Sequence, residues 1–157
     1  MTEKKNSVTL EIADPVSMSE LGARIGEKLF PGAFIAMFGG LGAGKTTLTK
    51  GIAKALSIEG ILSPTFTIVR HHEGKLALDH FDAYRIEETD ELYAVGYEDH
   101  LSSGSVIVME WCENVPDALP EERLEVHIEG SGSDVRRVEL RAFGRRYEEI
   151  TEDLNAC

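Results

Sequence analysis

Residues 33–56 read AFIAMFGGLGAGKTTLTKGIAKAL, and this stretch decides the fold. Ala33 to Phe38 is a short apolar run with the character of a buried strand. Gly39-Gly40-Leu41-Gly42-Ala43-Gly44-Lys45-Thr46 follows and satisfies G-x-x-x-x-G-K-[ST]. Leu48, Ile52, Ala55 and Leu56 then recur at helical spacing. Strand, glycine loop and helix start stand in the order that a phosphate-binding loop requires. Gly39, Gly42 and Gly44 open backbone angles closed to other residues and let the chain approach a phosphate. The loop amides, from Gly39 through Thr47, then form an anion nest capped by the helix N-terminus. Lys45 reaches the β- and γ-phosphates, and the Thr46 hydroxyl ligates Mg²⁺. The expected fold is α/β: a P-loop NTPase with a mostly parallel central sheet, added antiparallel strands and flanking helices.

Outward from this stretch, the chain alternates strands and helices. Ser7 to Ala13 alternates apolar and polar residues, which predicts a strand with one wet face. A helix is expected to about Phe30, capped by Ser17 or Ser19 and ended by Pro31-Gly32. Phe66 to His72 and Leu76 to Phe81 flank Glu73-Gly74-Lys75 as a hairpin. Thr89 is expected to cap a short acidic helix ending near Gly96, with Tyr97 to Gly104 as loop. Ser105 to Trp111 is the second strongly apolar run, a central parallel strand ending in a carboxylate. Asn114 to Glu122 reads as loop. Leu124 to Glu129 and Val135 to Arg141 flank SGSD as a second hairpin, and Arg145 to Leu154 as a terminal helix.

The whole chain sets bounds. Its 157 residues fit one domain, 1–157, large enough to bury a core of its own. Acidic residues outnumber basic ones 28 to 16, a net charge of −12, which repels nucleic acid at long range. No apolar run is long enough to span a membrane, and the first residues lack an apolar signal core, so the expected location is cytoplasmic. The two cysteines, Cys112 and Cys157, form no metal-ligand pair and are expected as reduced thiols.

A phosphate loop needs carboxylates opposite it to hold Mg²⁺ or its water. Glu110 ends VIVME and Asp82 ends LALDHFD, and ligands gather at the carboxyl ends of strands in open α/β sheets. Thr65 and Thr67, beside Pro64, are candidate γ-phosphate sensors. Arg85 is placed to neutralise transition-state charge, or else to pair with Asp82 or Glu87 on the surface. Trp111 reads as core or site wall. His71, His72 and His80 read as packed or solvated side chains before metal ligands, since no third ligand lies near in sequence. Arg136, Arg137, Arg141, Arg145 and Arg146 crowd one stretch and read as a solvated hairpin face before a nucleic-acid or partner contact.

Taken together, GLGAGKTT, SPTFT, HFDAYR, DELYAVGYEDHL and VIVMEW resemble, in this order and spacing, the TsaE (YjeE) family. That resemblance implies a small Mg²⁺-dependent ATPase, slow alone, working with TsaB and TsaD. It meets tRNA only through that complex, in which TsaD transfers a threonylcarbamoyl group to N6 of adenosine 37, and hydrolysis resets the complex between turnovers. On this resemblance the catalytic set is Asp82, Lys45, Thr65, Arg85 and Glu110, with Thr46, Glu110 and Asp82 at the metal. The family usually carries Asp at the second loop position, where this chain has Gly40. Two alternatives stay open: a nucleotide-dependent binding switch with incidental hydrolysis, and a small-molecule kinase using the arginine cluster as a lid. A GTPase is disfavoured, because N-K-x-D and D-x-x-G are both absent.

Overall fold

A computed structural model describes residues 6–40, 42–62, 64, 67–130 and 135–155. The expected site residues Leu41 and Thr65, the turn at 131–134, Phe66 and Cys157 lie outside the described residues.

The centre is a seven-stranded mixed sheet. In chain order its strands are β1 (Ser7–Ile12), β2 (Phe34–Phe38), β3 (Val69–His72), β4 (Leu78–Asp82), β5 (Val106–Glu110), β6 (Arg123–Glu129) and β7 (Arg136–Phe143). They lie in the order β1-β7-β6-β2-β5-β4-β3. β6, β2, β5 and β4 run parallel, while β1, β7 and β3 pair antiparallel at the two sides. The expected parallel centre with antiparallel additions is therefore what forms. Among the described residues five α-helices flank the sheet: α1 (Pro15–Glu27), α2 (Lys45–Ala55), α3 (Thr89–Ala94), α4 (Tyr97–Ser102) and α5 (Arg145–Asn155).

Strand periodicity divides the core between the two faces. Ile35 and Met37 of β2, with Val106 and Val108 of β5, meet α1, α2 and α5 on one face. Phe34, Ala36, Ile107 and Met109 meet Leu92 of α3 and Tyr97 of α4 on the other. This two-sided burial explains why both strands read as continuous apolar runs rather than alternating ones. The terminal helix is tied to the centre by the Tyr147 hydroxyl, which accepts from the Phe34 amide at 2.9 Å.

α1 and α2 meet backbone to backbone through glycines. A Cβ at Gly51 would stand 2.2 Å from the Ser19 carbonyl oxygen, and one at Gly22 would stand 2.3 Å from that of Leu48. Helix propensity alone favours alanine over glycine at such positions. The contact reverses that sign. Gly51→Ala should lose about 3 kcal/mol by overpacking, read as a drop of about 10 °C in the thermal midpoint.

Three local expectations are corrected. Asp14, not Ser17 or Ser19, caps α1: its carboxylate accepts from the Ser17 amide at 2.8 Å, and Pro15 takes the first turn, where no amide is needed. Glu88 rather than Thr89 occupies the cap of α3, and the Glu91 carboxylate receives the amides of Glu87 and Glu88. The acidic stretch there is thus a helix start. Tyr97 to Ser102 is helical, not loop. Six residues are too few to display a period, and Tyr97 anchors them by burying its ring and donating to the Ala118 carbonyl at 2.9 Å.

Candidate active site

The glycine loop leaves β2 at Gly39 and enters α2 at Gly44. Gly44 sits at φ 110°, beyond ordinary reach of a side chain, and its Cβ would crowd the Met18 methyl at 3.2 Å. A Cβ at Gly39, φ 153°, would meet the Ile128 carbonyl oxygen at 2.8 Å. Gly40 differs: its φ is not positive, and a Cβ there meets no described atom within 4 Å. Among the described residues nothing around it demands glycine at that position.

Lys45, at the first turn of α2, is 95% buried at 5% exposure. Its ammonium donates to the carbonyls of Gly39 and Gly40 and lies 4.1 Å from the centre of the Trp111 ring. Burial pulls its pKa below the usual lysine range, opposed by the charges of Glu110, Glu113 and Asp82. Trp111 is the wall expected of it, set by a left-handed backbone at φ 62° and faced by Tyr84 at 4.7 Å between rings.

The two acids arrive together because β4 and β5 are parallel neighbours with Asp82 opposite Glu110. Asp82 accepts from the Tyr84 amide at 2.9 Å. Burial, and then the Glu110 charge, push its carboxyl up, against the pull of that hydrogen bond, His80 and Lys45. Glu110 is buried, and its Oε2 lies 2.7 Å from His80 Nε2. His80 is itself 2% exposed, and its Nδ1 is buried with no partner among the described residues.

Gly42, Ala43, Gly44, Lys45, Thr46 and Thr47 line one cavity of about 580 Å³ together with Asp82 and Glu110. Lys50, Ile61, His80, Tyr84 and Trp111 complete its walls. That volume lies within the range of small-molecule sites. Arg85 is exposed and is not among the lining residues. The arginine cluster does not roof the cavity: Arg141 pairs with Glu139 at 3.0 Å, and Arg146 lies 3.8 Å over the Phe30 ring. Arg136 instead binds loop carbonyls from outside.

Sequence reasoning missed the contact of His80 with Glu110 and that of Glu113, whose carboxylate accepts from the Gly39 amide at 3.3 Å. The first had a signal, since His80 shares a strand face with Asp82. The second, just beyond the end of β5, had none.

A separate ionic cluster lies on the other sheet face. Asp79, 1% exposed, receives His71 Nδ1 on one oxygen and His100 Nδ1 on the other, and His71 Nε2 meets Glu73. Glu73 and then Asp79 raise the His71 pKa above its ordinary value near 6.5. The stabilisation is fully present below that ordinary value and is lost as pH rises through the raised one. The midpoint gap between wild type and His71→Gln should therefore be widest near pH 5.5 and close toward alkaline pH, in melts across that range.

Among the described residues no helix is long and apolar enough to cross a membrane. The family profile described as threonylcarbamoyl adenosine biosynthesis protein TsaE matches residues 12–138. The tRNA threonylcarbamoyladenosine biosynthesis protein TsaE of Bacillus subtilis is 42% identical over 127 residues, covering 80% of this chain and 79% of its own. Its Streptomyces coelicolor counterpart is 40% identical over 140 residues, covering 83% and 93%. The crystal structure of Bacillus subtilis YdiB superposes with a TM-score of 0.78 at 34% identity, covering 96% of this chain and 95% of that one. The profile spans most of the chain, including the glycine loop, both acids and Trp111, and on that match the chain belongs to the TsaE family.

Proposed function

We propose that this protein is a P-loop Mg²⁺-ATPase that drives the tRNA N6-threonylcarbamoyladenosine modification machinery in the cytoplasm. The reading rests on one observation: the glycine loop, Lys45, Thr46 and the paired acids Asp82 and Glu110 open onto the same cavity. Loop amides and the Lys45 ammonium bind the phosphates of ATP, the ammonium turning from the Gly39 and Gly40 carbonyls to do so. The donors fit Mg²⁺, which favours oxygen ligands and takes part of its shell from substrate and water. No group of three or more His, Cys, Asp or Glu side chains among the described residues is arranged to hold a metal alone. Thr46 and Glu110 would hold the ion, with Asp82 on it directly or through a water. When bound, Mg²⁺ neutralises charge on the β- and γ-oxygens.

Asp82 orients the attacking water. His80 fixes one oxygen of Glu110 and leaves the other for the cavity. Arg85 and Thr65 answer the γ-phosphate; Arg85 would have to swing inward from its exposed position. Trp111 and Tyr84 shield the Lys45 side of the site from water.

The partners are TsaB and TsaD, and tRNA is met through them, since the net charge of −12 opposes direct capture. The kinase alternative has no support for its lid: Arg141 pairs with Glu139, Arg146 of the terminal helix lies over Phe30, and Arg136 holds the loop carbonyls without lining the cavity. The test is size-exclusion chromatography of this protein with TsaB and TsaD, with and without ATP and Mg²⁺. A complex that forms or dissolves with nucleotide is expected. Absence of any complex under every nucleotide condition would defeat the pathway assignment.

A further inference from the structure

Arg136 opens β7 on the same strand face as the buried Val138, Leu140 and Ala142. It lies at the end of the strand, opposite Ile12 of β1, so its side chain leaves the core and crosses the sheet end. There Nε donates to the Ala43 carbonyl at 3.1 Å and Nη2 to the Gly42 carbonyl at 3.1 Å. Nη1 donates to the Val135 carbonyl at 3.1 Å, which fixes the fork to its own strand. Gly130 leaves room for the stem: a Cβ there would stand 2.7 Å from Arg136 Cδ.

Across a trans peptide the carbonyl and the following amide point in opposite directions, and no cis bond occurs among the described residues. Holding the Gly42 carbonyl on one side therefore turns the Ala43 amide to the other, where it closes the loop's turn by donating to the Gly40 carbonyl at 3.2 Å. Holding the Ala43 carbonyl outward turns the Gly44 amide inward in the same way. Gly42, at φ 74°, has the backbone freedom that would let these planes rotate without a strap. A planar guanidinium spans two adjacent carbonyls, and an ammonium, as a point charge, does not.

We propose that Arg136 is a positioning residue of the glycine loop, a guanidinium strap from the second hairpin that fixes the loop's turn and aims the Gly44 amide at the cavity before any ligand arrives. The orienting role stands on the contacts alone; its consequence for affinity rests on the phosphate-binding reading above. The strap makes the outer antiparallel hairpin part of the site, although it lines none of the main cavity.

The test compares Arg136→Met, which keeps the stem, Arg136→Lys, which keeps the charge, and Arg137→Met on the neighbouring side chain. Amide exchange over residues 42–46 is followed without nucleotide, alongside ADP affinity and the kinetics of ATP turnover. For Arg136→Met we expect exchange about tenfold faster, an ADP dissociation constant about tenfold higher, and a turnover loss that falls on KM rather than kcat. Arg136→Lys should resemble Arg136→Met, Arg137→Met should resemble wild type, and millimolar guanidinium should recover part of the loss. Wild-type exchange and affinity in a folded Arg136→Met or Arg136→Lys would overturn the strap, and Arg136→Lys alone decides if the methionine variant does not fold. Were wild type itself to bind no ADP, the functional reading would fall, while the exchange comparison would still decide the strap.

Discussion

Lys45→Ala is expected to raise the dissociation constant for ATP at least about a hundredfold, roughly 2.8 kcal/mol. A charge-assisted hydrogen bond contributes about 1.5–3 kcal/mol, and this ammonium sits in a buried setting that strengthens it. Lys45 is 5% exposed and already desolvated in the free protein, so little further desolvation is needed when a phosphate arrives. Its present partners, the Gly39 and Gly40 carbonyls, are neutral and weaker than a phosphate. Lys45→Met is the control for packing, since it keeps an apolar stem over Trp111. Both variants should lose binding equally by calorimetry while giving the circular dichroism of the folded protein. A variant that binds ATP as wild type would remove Lys45 from the site.

Glu110→Gln should cut ATP hydrolysis about 10²- to 10³-fold and leave ATP affinity within a few fold. Glutamine is isosteric and keeps an oxygen for His80, so the 2.7 Å contact survives and the loss is one of charge. The concentration of Mg²⁺ needed for half-maximal effect should rise more for Glu110→Gln than for Asp82→Asn if Glu110 is the direct ligand. Asp82→Asn retains the hydrogen bond from the Tyr84 amide and should also slow turnover. Its stability should rise instead, because burial disfavours the Asp82 charge that the variant removes. In the reconstituted complex the Glu110→Gln protein also separates the two roles of nucleotide. A single round of tRNA modification would mean that hydrolysis resets the complex; continued rounds would mean that binding alone is the switch.

The parts of this molecule that were legible in sequence are those set by short-range chemistry. The glycine pattern from Gly39 to Thr46 and the acids ending two apolar strands announced themselves because backbone angles and strand ends constrain residue type locally. β2 and β5 were readable as buried strands for the same reason. What stayed hidden depends on partners far along the chain. The Arg136 contacts join residues 93 and 94 positions apart, so the arginine read as a surface charge. Glu113 touches Gly39 across 74 positions. α4 was too short to show a period, and the α1 cap was obscured because Asp14 is followed by Pro15, whose tolerance in a first turn is easily taken for a loop. Gly22 and Gly51 gave no sign in sequence that two helices would touch there.

The central claim is that residues 39–47 cradle a triphosphate whose metal is held by carboxylates from β4 and β5. A crystal structure with Mg²⁺ and a non-hydrolysable ATP analogue tests it most directly. The account predicts the β- and γ-phosphates on the loop amides and Lys45, with the ion coordinated by Thr46 and reached by Glu110 or Asp82, directly or through one water. Phosphates bound away from the loop, or an ion distant from both acids, would contradict it.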